Sequence, residues 1–119
     1  MEKDPNGLDQ HAPGAKVDSG KLKAWLFFEG FAHALEDVAN VTTVGANKYT
    51  ENGWQQVPDG RKRYMNAFMR HAFEYAKGKR IDDEGPGATG CTHISQMIWN
   101  LLAEHVPMNT LRNALSILA

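Results

Sequence analysis

The chain has 119 residues, enough for one domain with a modest core, and its 42% hydrophobic and 23% charged residues are an ordinary globular mixture. A formal net charge of -1 gives no electrostatic attraction for duplex DNA or RNA, so no nucleic-acid partner is expected. The single Cys91 excludes an intramolecular disulfide and fits a reducing cytoplasm, and the longest apolar run, residues 24 to 28, is far too short to span a bilayer.

In chain order, residues 1 to 19 carry Pro5, Gly7, Pro13 and Gly14 among scattered charges and lack the apolar stretch of a signal peptide. They are expected to form a polar, flexible arm ahead of a single all-α domain over residues 20 to 119. Phe28, Phe31, Ala32, Leu35, Val38, Ala39 and Thr42 recur at steps of three and four, the mark of one helix face, with Gly45 as the expected stop. Residues 45 to 60 then read as a loop with turns at Asn52-Gly53 and Pro58-Asp59-Gly60.

Asp59 is the expected N-cap of a second helix with the stripe Tyr64, Ala67, Phe68, His71, Ala72 and Tyr75, ended by Gly78. An acidic, glycine-rich loop follows over residues 79 to 90. Thr92 is the expected cap of a third helix, whose apolar stripe is Ile94, Met97, Ile98, Leu101 and Leu102; His93, Gln96 and Asn100 line the adjoining face. A short fourth helix is expected over residues 108 to 119. No segment alternates as a strand, so the predicted fold is all-α, a small bundle of about four helices. A chain this short buries a limited share of its surface, and association into a homo-oligomer is expected to add burial.

Three groups of side chains carry chemistry. His71, Asp82, Glu84 and His93 offer imidazole and carboxylate donors suited to a divalent metal, and two helices joined by one loop can bring them together. The alternative is a core histidine beside a solvated acidic loop. Lys48, Arg70 and Lys21 are candidate partners for the charge of a triphosphate, or else ordinary surface cations. Trp54 and Tyr49 lie in a loop where a ring can stack on a nucleobase and Asn52 can hydrogen-bond a base or sugar; the same residues can simply pack the loop. Cys91 and His93 are two residues apart, which points them away from each other. The loop "EGPGATG" lacks the Gly-Lys-Ser/Thr ending of a P-loop.

In order along the chain, "GKLK", "VGANKYTENGW", "RYMNAFMRH", "IDDE" with a following "TG", and "HISQMIWN" form a pattern that resembles the dATP/dGTP diphosphohydrolases of bacteriophages, also called MazZ. These are related in function to the all-α MazG-type pyrophosphohydrolases. The resemblance covers residues 18 to 105. It implies removal of pyrophosphate from dGTP or dATP to leave the monophosphate, in phages where dGMP feeds synthesis of 2-aminoadenine DNA. It also implies a divalent ion, Mg²⁺ or Mn²⁺, that bridges the phosphates.

Carried over by motif, the implied site is Lys48, Asn52, Trp54, Arg70, His71, Asp82, Glu84, His93 and Asn100. His71, Asp82 and Glu84 are the catalytic candidates, and these three with His93 are the metal-ligand candidates. Two departures stand out. Gln96 takes the place of a second His three residues after His93, and the loop carries extra residues, "GPGA", between Glu84 and Thr89. Other readings are a triphosphohydrolase of the HD class, which the absence of any His-Asp dipeptide opposes, and a nucleotide-binding or helical interaction module without turnover.

Overall fold

A computed structural model describes residues 2–106. It contains α1 (Ala24–Gly30), α2 (Ala32–Lys48), a 3-10 turn (Gly53–Gln56), α3 (Gly60–Ala76) and α4 (His93–His105). The fold is all-α, and among the described residues the only extended pairings are isolated bridges, Lys3 with Asp9 and Ile81 with Thr92. None of the described helices is long and apolar enough to cross a membrane. The chain forms two compact units, one ending at Phe31 and the other beginning at Ala32. The fourth helix expected over residues 108 to 119 lies outside the described residues.

In the first unit Asp4 is buried, and its Oδ1 accepts from the backbone N–H groups of Asn6 (3.1 Å) and Leu8 (2.7 Å). A carboxylate bonded to nearby backbone in this way stabilises a turn. This segment therefore has a local order that its composition does not suggest. In α1 the Trp25 indole donates to Glu29 at 2.6 Å, and the ring pairs Trp25–Phe28 and Phe27–Phe31 have centroids 5.5 and 5.2 Å apart.

The stripe read as one helix is divided. The chain leaves α1 at Gly30, a poor helix former, and α2 starts at Ala32. Gly45 does not stop α2, which continues to Lys48. A glycine costs about 1 kcal/mol inside a helix, too little to end one whose neighbours are held, and α2 is followed by a turn in which Asn52 takes the left-handed conformation (φ 60°). Asp59 does precede α3, but it is itself left-handed (φ 54°) and its side chain makes no cap bond. Only its carbonyl engages, accepting from the Arg63 N–H at 3.0 Å.

Thr92 caps α4 as its sequence predicts, its hydroxyl accepting from the Ser95 N–H at 3.1 Å. The face that α4 turns inward is not the apolar stripe. His93, Ser95, Gln96, Asn100 and Ala103 are buried, while Ile94, Ile98, Leu101 and Leu102 are exposed. α4 packs mainly on α3 and secondarily on α2, so a largely polar face is enclosed by its neighbours. The compact core is Tyr64 against Ala103, flanked by Trp54, Val57 and Trp99. Trp99 takes Trp54 and Tyr64 edge-on at 5.7 and 5.8 Å between centroids, a favoured aromatic geometry.

Candidate active site

A cavity of about 790 Å³ opens between α2, the 3-10 turn, α3 and α4. That volume lies within the usual range for small-molecule sites. α2 contributes Lys48 at its end and Gly45 one turn earlier, where a Cβ would meet nothing within 4 Å, so the missing side chain leaves the wall open. α3 contributes Arg63 and Arg70. Lys48, Arg63 and Arg70 are in no ion pair among the described residues. A concave site with three uncompensated cations attracts a polyanion.

Trp54 lines this cavity and is held from behind. The Tyr64 hydroxyl donates to its carbonyl, Trp99 packs against its ring, and the Trp99 indole donates to Thr42 at 2.9 Å. The side chain therefore packs the turn and also presents a surface to the cavity. Tyr49 lines the same space, with the Lys48 ammonium 5.3 Å from its ring centroid. Asn52 lies instead on a smaller recess of about 390 Å³, which Trp54 and Trp99 also line. Lys21 belongs to the first unit, where its N–H donates to the Asp18 carbonyl at 3.0 Å.

Arg70 and His71 are adjacent on α3 but serve different places. Arg70 lines the cavity, whereas His71 meets His93 with their Nδ1 atoms 2.9 Å apart. At that distance one ring must donate to the other, since two lone pairs would repel. Burial first, and then the facing His93, lowers the proton affinity of His71 below the ordinary imidazole range; nearby Asp82 opposes this.

Asp82 is fixed by the loop that carries it. Its N–H donates to the Cys91 carbonyl (2.9 Å), its carbonyl accepts from Gly90 (2.8 Å), and the His93 N–H donates to Arg80 (2.9 Å). These bonds tie both ends of the loop together at the start of α4. The carboxylate Oδ2 accepts from Gln96 Nε2 and the Thr89 hydroxyl, each at 3.1 Å. Burial raises the proton affinity of Asp82, but the bonds from Gln96 and Thr89, with His71 nearby, outweigh it and hold the carboxyl below its usual range.

Gln96 and Thr89 also line the large cavity, so they are the physical link between it and the Asp82–His71–His93 group. The sequence places Gln96 on the face of His93 and Asn100 and marks it only as standing where a second His is expected; a polar residue three positions from one candidate and four from another is the signal it offers. Thr89 carried no periodic signal at all.

Glu84 is not drawn into the histidine pair. Its side chain is 70% exposed and pairs with Lys79 at 2.9 Å, although it borders a small recess with Asp82 and His93. Among the described residues no group of three or more His, Cys, Asp or Glu side chains is placed to hold a metal ion. The donors that do meet, His71 and His93, share one N–H···N bond. His71, Asp82 and His93 lie together, whereas Glu84 turns to Lys79.

Comparison with known proteins agrees with the family resemblance. Residues 11–113 match the family model described as dATP/dGTP diphosphohydrolase, N-terminal. A Salmonella phage PMBT28 protein named dATP/dGTP diphosphohydrolase is 33% identical over 89 residues, which is 75% of this chain. The match spans only 28% of that relative's length. No solved structure matches the chain.

Proposed function

The chain belongs to the dATP/dGTP diphosphohydrolase N-terminal family, and on that premise we propose that its cavity binds a purine deoxynucleoside triphosphate and supports hydrolysis to the monophosphate and pyrophosphate. The observation that carries this reading is the grouping of Lys48, Arg63 and Arg70, free of acidic partners among the described residues, around one nucleotide-sized cavity with Trp54 in its wall. Cations of this kind offset the charge that builds on a leaving pyrophosphate, and an aromatic face suits a base.

The described residues assemble no set of three metal donors. The divalent ion, Mg²⁺ or Mn²⁺, is therefore assigned to the substrate, which arrives as its metal complex. Asp82, ionised and with Oδ1 in no hydrogen bond among the described residues, borders the small recess and is joined to the cavity wall through Gln96 and Thr89, which makes it the candidate carboxylate for that complex. His71, neutral and joined to His93 beside Asp82, is the candidate proton acceptor of this group. The metabolic setting implied by the family resemblance is supply of dGMP for 2-aminoadenine DNA.

Incubation of the protein with dGTP and Mg²⁺ in ¹⁸O-labelled water tests this reading. Attack at the α-phosphorus puts the label in dGMP and leaves pyrophosphate unlabelled. Labelled orthophosphate with dGDP, inorganic triphosphate with deoxyguanosine, or intact dGTP would each overturn it.

A further inference from the structure

Two buried amides on α4 border the cavity with their orientation fixed. Gln96 and Asn100 are 5% and 6% exposed, stand one helical turn apart, and both line the cavity. Gln96 Nε2 donates to Asp82 Oδ2 at 3.1 Å, and Asn100 Nδ2 donates to the Gln96 backbone carbonyl at 2.7 Å. An ionised carboxylate and a peptide carbonyl can only accept, so each amide must turn its NH₂ to that partner and its oxygen elsewhere.

Among the described residues nothing donates to either amide oxygen, and no fully buried side-chain oxygen or nitrogen lacks a partner. Both oxygens therefore reach open space, and the open space beside these residues is the cavity. Two carbonyl acceptors repel phosphate oxygens, so this wall is unsuited to the triphosphate, whose place is beside Lys48 and Arg70. It suits a group that donates two hydrogen bonds.

Guanine has such an edge, with N1–H and the 2-amino group side by side. Adenine has an unprotonated N1 and a bare C2–H at the same positions, so it lacks the 2-amino donor that separates the two bases. Resting on the reading of the cavity as a purine deoxynucleotide site, we infer that Gln96 and Asn100 form an acceptor pair that selects purines with donors at N1 and C2, and so prefers dGTP to dATP. Gln96 then has two tasks: its NH₂ orients Asp82 while its oxygen reads the base. A site that leaves buried acceptors unpaired with the wrong ligand discriminates more strongly than one that only measures shape.

The test is calorimetric binding of the α,β-imido forms of dGTP, dITP and dATP to the full chain. dITP keeps N1–H and lacks only the 2-amino group. The expected result is dITP about tenfold weaker than dGTP, and dATP at least as weak as dITP. Of Asn100→Ala and Gln96→Ala, the one that removes the oxygen facing the 2-amino group should bring the dGTP-to-dITP ratio towards one, and the other, which removes the partner of N1–H, should weaken dGTP and dITP alike while affecting dATP less, a pattern that a merely structural role would not produce. Equal binding of dGTP and dITP by the unmodified protein overturns the acceptor pair and leaves the triphosphate site standing. Equal weakening of all three ligands by the variants also overturns it, since the amides would then hold the phosphates, the metal or the fold. No binding of any of the three removes both readings together.

Discussion

At Asp82 burial and hydrogen bonding act in opposite directions, and hydrogen bonding prevails; at His71 burial dominates. The outcome is an ionised carboxylate beside a neutral imidazole at neutral pH. Asp82→Asn and His71→Ala are each expected to reduce turnover by at least about two orders of magnitude, as loss of a charge-bearing or proton-accepting group does. Steady-state rates on dGTP, with circular dichroism to confirm folding, decide it; near-normal rates in both would leave the two residues as structural. Glu84→Ala is expected to cost less than either, because Lys79 holds that carboxylate at the surface.

The same shifts fix a pH dependence of stability. His71 has a folded proton affinity below the unfolded value of about 6.5. Below that pH the unfolded chain binds the extra proton, so stability is full above about 6.5 and falls as pH drops towards the folded value. Asp82 is also depressed, so its contribution is present above about 3.9 and is lost only in stronger acid. Thermal midpoints should therefore fall between pH 7.5 and 5.5, and the fall should be shallower in His71→Gln. Parallel curves for the two proteins would remove His71 as the cause.

At the level of elements, α2 and α3 bring the cations to the cavity, and α4 and the 3-10 turn bring its amides and Trp54. Thr92→Ala removes the hydroxyl that accepts the Ser95 N–H and should destabilise the protein by about 1 kcal/mol in urea unfolding. Trp54→Ala should weaken dGTP binding by about 1–3 kcal/mol, as loss of a base-stacking face does. It should also lower the thermal midpoint, because the ring packs on Trp99. An unchanged Michaelis constant beside a lowered midpoint would confine Trp54 to packing.

The same elements show what the sequence makes legible. The spacing of Tyr64, Ala67, Phe68 and His71 reveals α3, and Thr92 marks the start of α4, because both signals are local. Which way α4 faces is not local. Periodicity locates Ile94, Ile98 and Leu101 on one stripe, and the usual inference buries it; here the partners of α4 enclose His93, Gln96 and Asn100 instead. Glu84 illustrates the same limit within a loop, since nothing in "IDDE" says that Asp82 turns towards Gln96 while Glu84 turns to Lys79.

For the molecule as a whole, the inverted face has a consequence for association. Ile94, Ile98, Leu101 and Leu102 on α4, with Met65, Met69 and Phe73 on α3, are large apolar side chains open to solvent among the described residues. Such surface commonly marks an interface, and the homo-oligomer expected from the short chain is the occupant to test. Light scattering of the purified protein should give a mass above that of one chain, and Ile98→Glu with Leu101→Glu should reduce it to one. A monomer in both cases would leave the face to another partner.

The ties that hold Asp82 close the loop at its neck: Ile81 bridges Thr92, and Asp82 is paired with Cys91 and Gly90. The segment from Asp83 to Ala88, including "GPGA", lies beyond that neck, with Gly87 closely approached by the Lys48 ammonium. The position of the carboxylate is therefore fixed by the neck and not by the length of chain beyond it. A chain cut between Gly85 and Pro86, or permuted so that its ends fall there, should still assemble a working site.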